Sequence, residues 1–144
     1  MKLQSKISMM LSLMVMSWLL AAPIASAQSS DRKNFQMGSI SSDGTIRDKS
    51  GTQVGKIESN GTIRDRSNSQ IGKIESDGTI RNKSNSQIGK VASDGVVRDR
   101  SNSQIGKVES DGTVRDRSNS RIGSASSSIK KEWIAVAYFF FKDL

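Results

Sequence analysis

Arginine recurs at Arg47, Arg64, Arg81, Arg98 and Arg115, and lysine at Lys56, Lys73, Lys90 and Lys107, both at intervals of seventeen residues. Guanidinium and ammonium groups on a fixed repeat are the types that hold carboxylate, sulfate and phosphate. These nine positions form the candidate anion-binding face, and its expected partners are anionic glycans or lipid headgroups. The plainer alternative is a solvated outer face whose Glu and Asp partly offset the charge; exposed ion pairs contribute little and favour it. No aromatic interleaves the basic positions to stack bases, which argues against nucleic acid as partner.

Other chemistry is disfavoured. The chain has no His and no Cys, so the commonest general base and the thiol nucleophile are missing. Ser, Asp and Arg are abundant only as copies, whereas a catalytic site needs a distinct convergent cluster. The expectation is no enzyme and no cofactor. The Asp-Gly steps bring Ca²⁺ loops to mind, but one carboxylate per turn does not supply the several oxygens that Ca²⁺ needs. No metal site is expected, and turn chemistry explains these Asp residues.

The elements that must position the basic residues are set by the repeat itself. Between Ile40 and Gly123 the unit I-E-S-D-G-T-I-R-D-R-S-N-S-Q-I-G-K occurs five times, with Asp43, Asn60, Asp77, Asp94 and Asp111 at one step. Each copy carries three β-branched aliphatics, Ile74, Ile80 and Ile88 in the third, which favours strands. No helical stripe of useful length runs through the array, and Gly recurs too often for helices.

Ser76-Asp77-Gly78 fits a three-residue hairpin loop with Gly in the left-handed region. That loop pairs Ile74 with Ile80, sets Lys73 opposite Arg81 and puts Glu75 diagonal to Arg81. A two-residue loop would turn Ile80 to the other face, and burial selects against it. At a second connection Asn68, Asn85, Asn102 and Asn119 share a position that holds Gly51 in the first copy. Asn and Gly best tolerate the left-handed region, so Lys83-Ser84-Asn85 reads as another three-residue loop, pairing Ile80 with Ile88. Gly38, Gly55, Gly72, Gly89, Gly106 and Gly123 interrupt strands, which signals a bulge or bend once per repeat. Such bends would return all three aliphatics of a copy to the interior.

Five like bends invite closure into a ring, with Ser120-Arg121-Ile122-Gly123 pairing round to the first strand. The alternative is an open β-solenoid with one coil per unit, for which three aliphatics per coil are thin. The five copies, followed by Ala137-Tyr138-Phe139-Phe140-Phe141, resemble the exported bacterial five-fold β-flower proteins. The resemblance implies an all-β fold of five hairpin petals closed around an axis, and it implies no activity. The first copy departs from the pattern at Gly51-Thr52 and the fourth at Ala92 and Val96.

After the Ser-rich link Ser124 to Ser128, Trp133 to Phe141 is an unbroken apolar run. It is too short to span a membrane as a helix. Its pattern reads as a strand buried on both faces. It would pack on the core of small aliphatics, with Trp133 largely buried, or else serve as an interaction or assembly strand.

At the other terminus Lys2 and Lys6 precede the apolar Ile7 to Leu20 and the small-x-small step Ala25-Ser26-Ala27, the pattern of a secretory signal peptide. The expected organisation is residues 1–27 signal peptide, 28–34 short linker, 35–123 five-repeat β domain and 124–144 Ser-rich link with the aromatic segment. The formal charge of +8 includes Lys2 and Lys6, so cleavage leaves +6. The expected location is outside the cytoplasm: periplasm, cell surface or extracellular space. Function reads as a non-enzymatic binding module at the cell envelope or outside the cell, with a structural or self-assembling envelope protein that uses the aromatic segment as the alternative.

Overall fold

The turns dictate the sheet. At Ser76-Asp77-Gly78 the Glu75 N–H donates to the Thr79 carbonyl at 2.8 Å, and the Gly78 N–H to that of Glu75 at 3.0 Å. Gly78 has φ of 86°, and a Cβ there would also collide with the Val91 carbonyl. Both reasons exclude a side chain. The Val91 N–H then donates to the Gly78 carbonyl at 3.0 Å, so each such turn is stitched to the next repeat. At the second connection Asn85 takes φ of 64°. Asn82 Oδ1 accepts the N–H of Ser84 and of Ser86, at 3.0 and 3.1 Å.

The computed structural model describes residues 36–144. The expected signal peptide and linker therefore lie outside the described residues. Among the described residues, eleven strands form one antiparallel sheet in sequence order. They are β1 (Met37–Ile40), β2 (Thr45–Asp48), β3 (Gln53–Ile57), β4 (Thr62–Asp65), β5 (Gln70–Ile74), β6 (Thr79–Asn82), β7 (Gln87–Val91), β8 (Val96–Asp99), β9 (Gln104–Val108), β10 (Thr113–Asp116) and β11 (Arg121–Ser124). Ile74 opposes Ile80 and Lys73 opposes Arg81, the register that the three-residue loop requires.

Three expectations need correction. First, Ile80 opposes Gly89 rather than Ile88, because the ladder skips a residue between Arg81–Gln87 and Ile80–Gly89. The bulge falls at Ile88 itself, and the aliphatic just before each bend glycine is less regularly buried than the other two. Ile71 is 3% exposed, Val54, Ile88 and Ile105 are half-buried, and Ile122 is 44% exposed. Second, no pairing joins β1 to β11. Alternation leaves the first and eleventh strands running the same way, so the antiparallel ladder cannot continue across them. Third, the aromatic segment is helical: α1 (Lys131–Ala135), a π-helical turn (Val136–Phe140) and a 3-10 turn (Phe141–Asp143).

Ile134, Ala135, Val136, Ala137, Phe140 and Phe141 belong to the same buried cluster as the strand aliphatics, and Phe141 is 0% exposed. Trp133 is half-buried at the start of α1. A Cβ placed on a bend glycine would overlap one side chain of this segment: Tyr138 at Gly123, Phe139 at Gly106, Phe140 at Gly89, Phe141 at Gly55 and Leu144 at Gly72. The bends thus bring the backbone closer to these side chains than any side chain on the strand would allow.

Candidate functional site

The strands set the basic residues in cross-strand pairs: Lys56 with Arg64, Lys73 with Arg81, Lys90 with Arg98 and Lys107 with Arg115. Arg47, opposite Ser39, has no lysine across from it. Each of these five arginines also has a local task. Its Nη1 donates to the carbonyl of the residue in the left-handed turn four positions on, at 3.0 Å for Arg47 to Gly51 and 3.1 Å for Arg64, Arg81, Arg98 and Arg115 to their Asn. The guanidinium therefore braces the second loop of its own hairpin.

A carboxylate takes the other side of three of these arginines. Arg64 Nε donates to Glu58 at 2.8 Å, Arg81 Nε to Glu75 at 2.9 Å and Arg115 Nε to Glu109 at 3.1 Å. These pairs are about one-third exposed, so their weight in stability is small. The candidate face of nine cations is thus partly neutralised from within. Arg47 and Arg98 make no ion pair among the described residues, because Ser41 and Ala92 occupy the Glu position. Of these two, Arg98 alone also has a lysine opposite. Lys90 reaches Asp77 at 3.8 Å across exposed surface.

The turn carboxylates are committed to the backbone. Oδ1 of Asp43, Asp77, Asp94 and Asp111 accepts the N–H two residues on at 2.9–3.0 Å. The Thr79 N–H and hydroxyl hold the Asp77 carboxyl below its ordinary value, with Lys90 adding to the effect. Thr45 and Lys56 do the same for Asp43, and Thr113 and Arg115 for Asp111. Burial pushes the Tyr138 phenol upward, with its hydroxyl on the Ser124 carbonyl at 3.2 Å.

Where the Ser-Asp-Gly turns meet the start of α1, three shallow clefts open. Two of about 490 and 510 Å³ flank Trp133 beside the second copy's turn. The third, about 340 Å³, lies between Lys107, Asp111 and Lys131. Lys131 Nζ donates to the Ser93 carbonyl at 3.4 Å. The sequence signal for this end of the molecule was small: an Asn60 among Asp residues, and a Trp at the head of the apolar run.

The architecture is that of an all-β protein of tandem hairpins gathered on a C-terminal helical segment. The profile of the 5-fold beta-flower protein family matches residues 26–142, and the chain belongs to that family. No curated protein and no solved structure matches it.

Proposed function

We propose that the chain is an exported, non-catalytic binding module whose repeats pack as petals against the aromatic segment and whose fourth petal takes an anionic group. The burial of Phe140 and Phe141 among the strand aliphatics supports a plug in the core over an assembly strand. The observation that carries the binding reading is the pair Lys90–Arg98 next to Ala92. In three other petals the same arginine nitrogen holds a Glu carboxylate at 2.8–3.1 Å, so the fold itself displays the geometry of an anion on this guanidinium. In petal four the carboxylate is absent, and a cross-strand lysine adds a second positive charge. A carboxylate, sulfate or phosphate of a glycan or lipid headgroup fills that place with charge-assisted hydrogen bonds.

Ala92→Glu tests this without endangering the fold, because it restores the residue of copies two, three and five. Sulfated and neutral oligosaccharides, and vesicles with and without anionic lipid, are titrated at low and high salt. The parent chain binds the anionic probe in a salt-sensitive manner, and Ala92→Glu weakens that binding about tenfold. A preference for glycan or for vesicle identifies the source of the anion. Equal binding by the parent and Ala92→Glu overturns the proposal.

A further inference from the structure

Asn60 is the one amide at a step where Asp43, Asp77, Asp94 and Asp111 place carboxylates. Its Oδ1 accepts the Thr62 N–H at 3.0 Å, as the Asp residues do in their turns. With the oxygen so used, the Nδ2 group must point away from that N–H as a donor. No described residue accepts from it. In the first copy the matching atom, Asp43 Oδ2, is an acceptor and takes the Thr45 hydroxyl at 3.1 Å. One turn of five thus offers a double donor where the others offer an acceptor.

That turn lines both clefts beside Trp133. Lys130 Nζ stands 5.6 Å from the indole centroid, but Lys130 lines only the smaller cleft. The larger, about 510 Å³, is bounded by the indole, Asn60, Lys56, Asp43 and Glu58. Its volume falls within the range of small-ligand sites. An indole, two donors and two carboxylates at a solvent-open rim match a ligand that is apolar on one face and ringed by hydroxyls. Glu58 spends one oxygen on Arg64, which leaves the other to accept. Asp43 Oδ1 and Oδ2 already accept from Thr45, and each carboxylate oxygen keeps a second lone pair that can take a hydroxyl.

We infer that this cleft is a saccharide subsite in which a pyranose ring lays its C–H face on Trp133 while Asn60 and Lys56 donate to its hydroxyls and Asp43 and Glu58 accept from them. The electron-rich face of the indole attracts the weakly positive C–H edge of a sugar. The subsite rests on the reading of the chain as a binding module, yet it needs neither Lys90 nor Arg98.

The test uses the full chain carrying Trp18→Phe, so that Trp133 is the remaining indole. Neutral tetramers of β-1,4-linked glucose and of N-acetylglucosamine are titrated at low and high salt, with indole emission as the readout. At least one tetramer shifts the emission to the blue, with an affinity that salt leaves unchanged. Asn60→Asp restores the residue of the other four turns and therefore folds; it weakens binding about tenfold by exchanging a donor for an acceptor. Ala92→Glu leaves this binding unaltered. Silence of the indole toward both tetramers overturns the inference, as does equal binding by Asn60→Asp. Salt-sensitive binding of a sulfated sugar that Ala92→Glu abolishes, with Trp133 silent to the neutral tetramers, keeps the petal-four site and removes this one.

Discussion

Asn85 shows how much one residue type can reveal. Its φ of 64° is a conformation that Gly and Asn enter readily and β-branched residues do not. The exchange of Asn for Gly at position 51 makes that backbone state legible in the sequence. Asn85→Gly is expected to unfold at nearly the same denaturant concentration as the parent, and Asn85→Val to lose about 1 kcal/mol or more. Equal midpoints for the two variants would contradict the turn. The pairing of Ile74 with Ile80 was legible for a similar reason, because a slip of one residue exposes a whole face. The bulge at Ile88 was not, since the Gly next to it signals a distortion without saying which neighbour the ladder skips. Nor were the surroundings of Ala92 and Asn60. Both stand plainly in the sequence as breaks in a pattern. Their meaning depends on Arg98 lacking its carboxylate and on Trp133 sitting beside the second turn, facts that only the folded chain supplies.

At the scale of elements, the aromatic segment is helical where its composition suggests a strand. Residues 133–141 are apolar without alternation, which suits a strand buried on both faces and equally a helix enclosed on all sides. Periodicity cannot separate the two in so short a run. Spacing favours the helix with hindsight. Tyr138, Phe139 and Phe140 meet the bends at Gly123, Gly106 and Gly89, which belong to successive repeats. Petals in a regular five-fold arrangement would lie about 72° apart, whereas an α-helix advances about 100° per residue and the wider π turn roughly 80°. The π-helical turn over Val136–Phe140 brings consecutive rings nearer to consecutive bends. The close approach gives a direct test. Gly89→Ala should cost about 1–3 kcal/mol through overlap with the Phe140 ring and the Arg98 carbonyl. Trimming that ring with Phe140→Ala should make the glycine change less costly, so a double-mutant cycle in denaturant should show coupling. Additive costs would mean that the ring does not fill the bend.

For the whole molecule, eleven strands and five bends tell different stories. Bend glycines at 55, 72, 89, 106 and 123 each face a residue of the helical segment, while a Cβ on Gly38 would meet the Asp48 backbone instead. The surplus strand is thus β1, a sixth strand of the Q-I-G-K kind, and with β11 it leaves two edges in the ladder. Export belongs to this scale too. If Ala25-Ser26-Ala27 is a cleavage site, mass spectrometry of protein recovered outside the cytoplasm finds Gln28 at the N-terminus, open or cyclised. A chain that still starts at Met1 would show that the apolar stretch is kept.

Near-identical tandem units are prone to slip in number, since a gene that copies one unit can drop or duplicate it with little local penalty. The helical segment imposes a tally on this chain. Tyr138, Phe139, Phe140, Phe141 and Leu144 each occupy one bend. A four-unit descendant would strand one of these side chains, and a six-unit one would leave a notch with nothing to fill it. The irregular end of the sequence thus acts as a gauge of the regular part, holding its copy number at five while single positions such as 60 and 92 remain free to diverge.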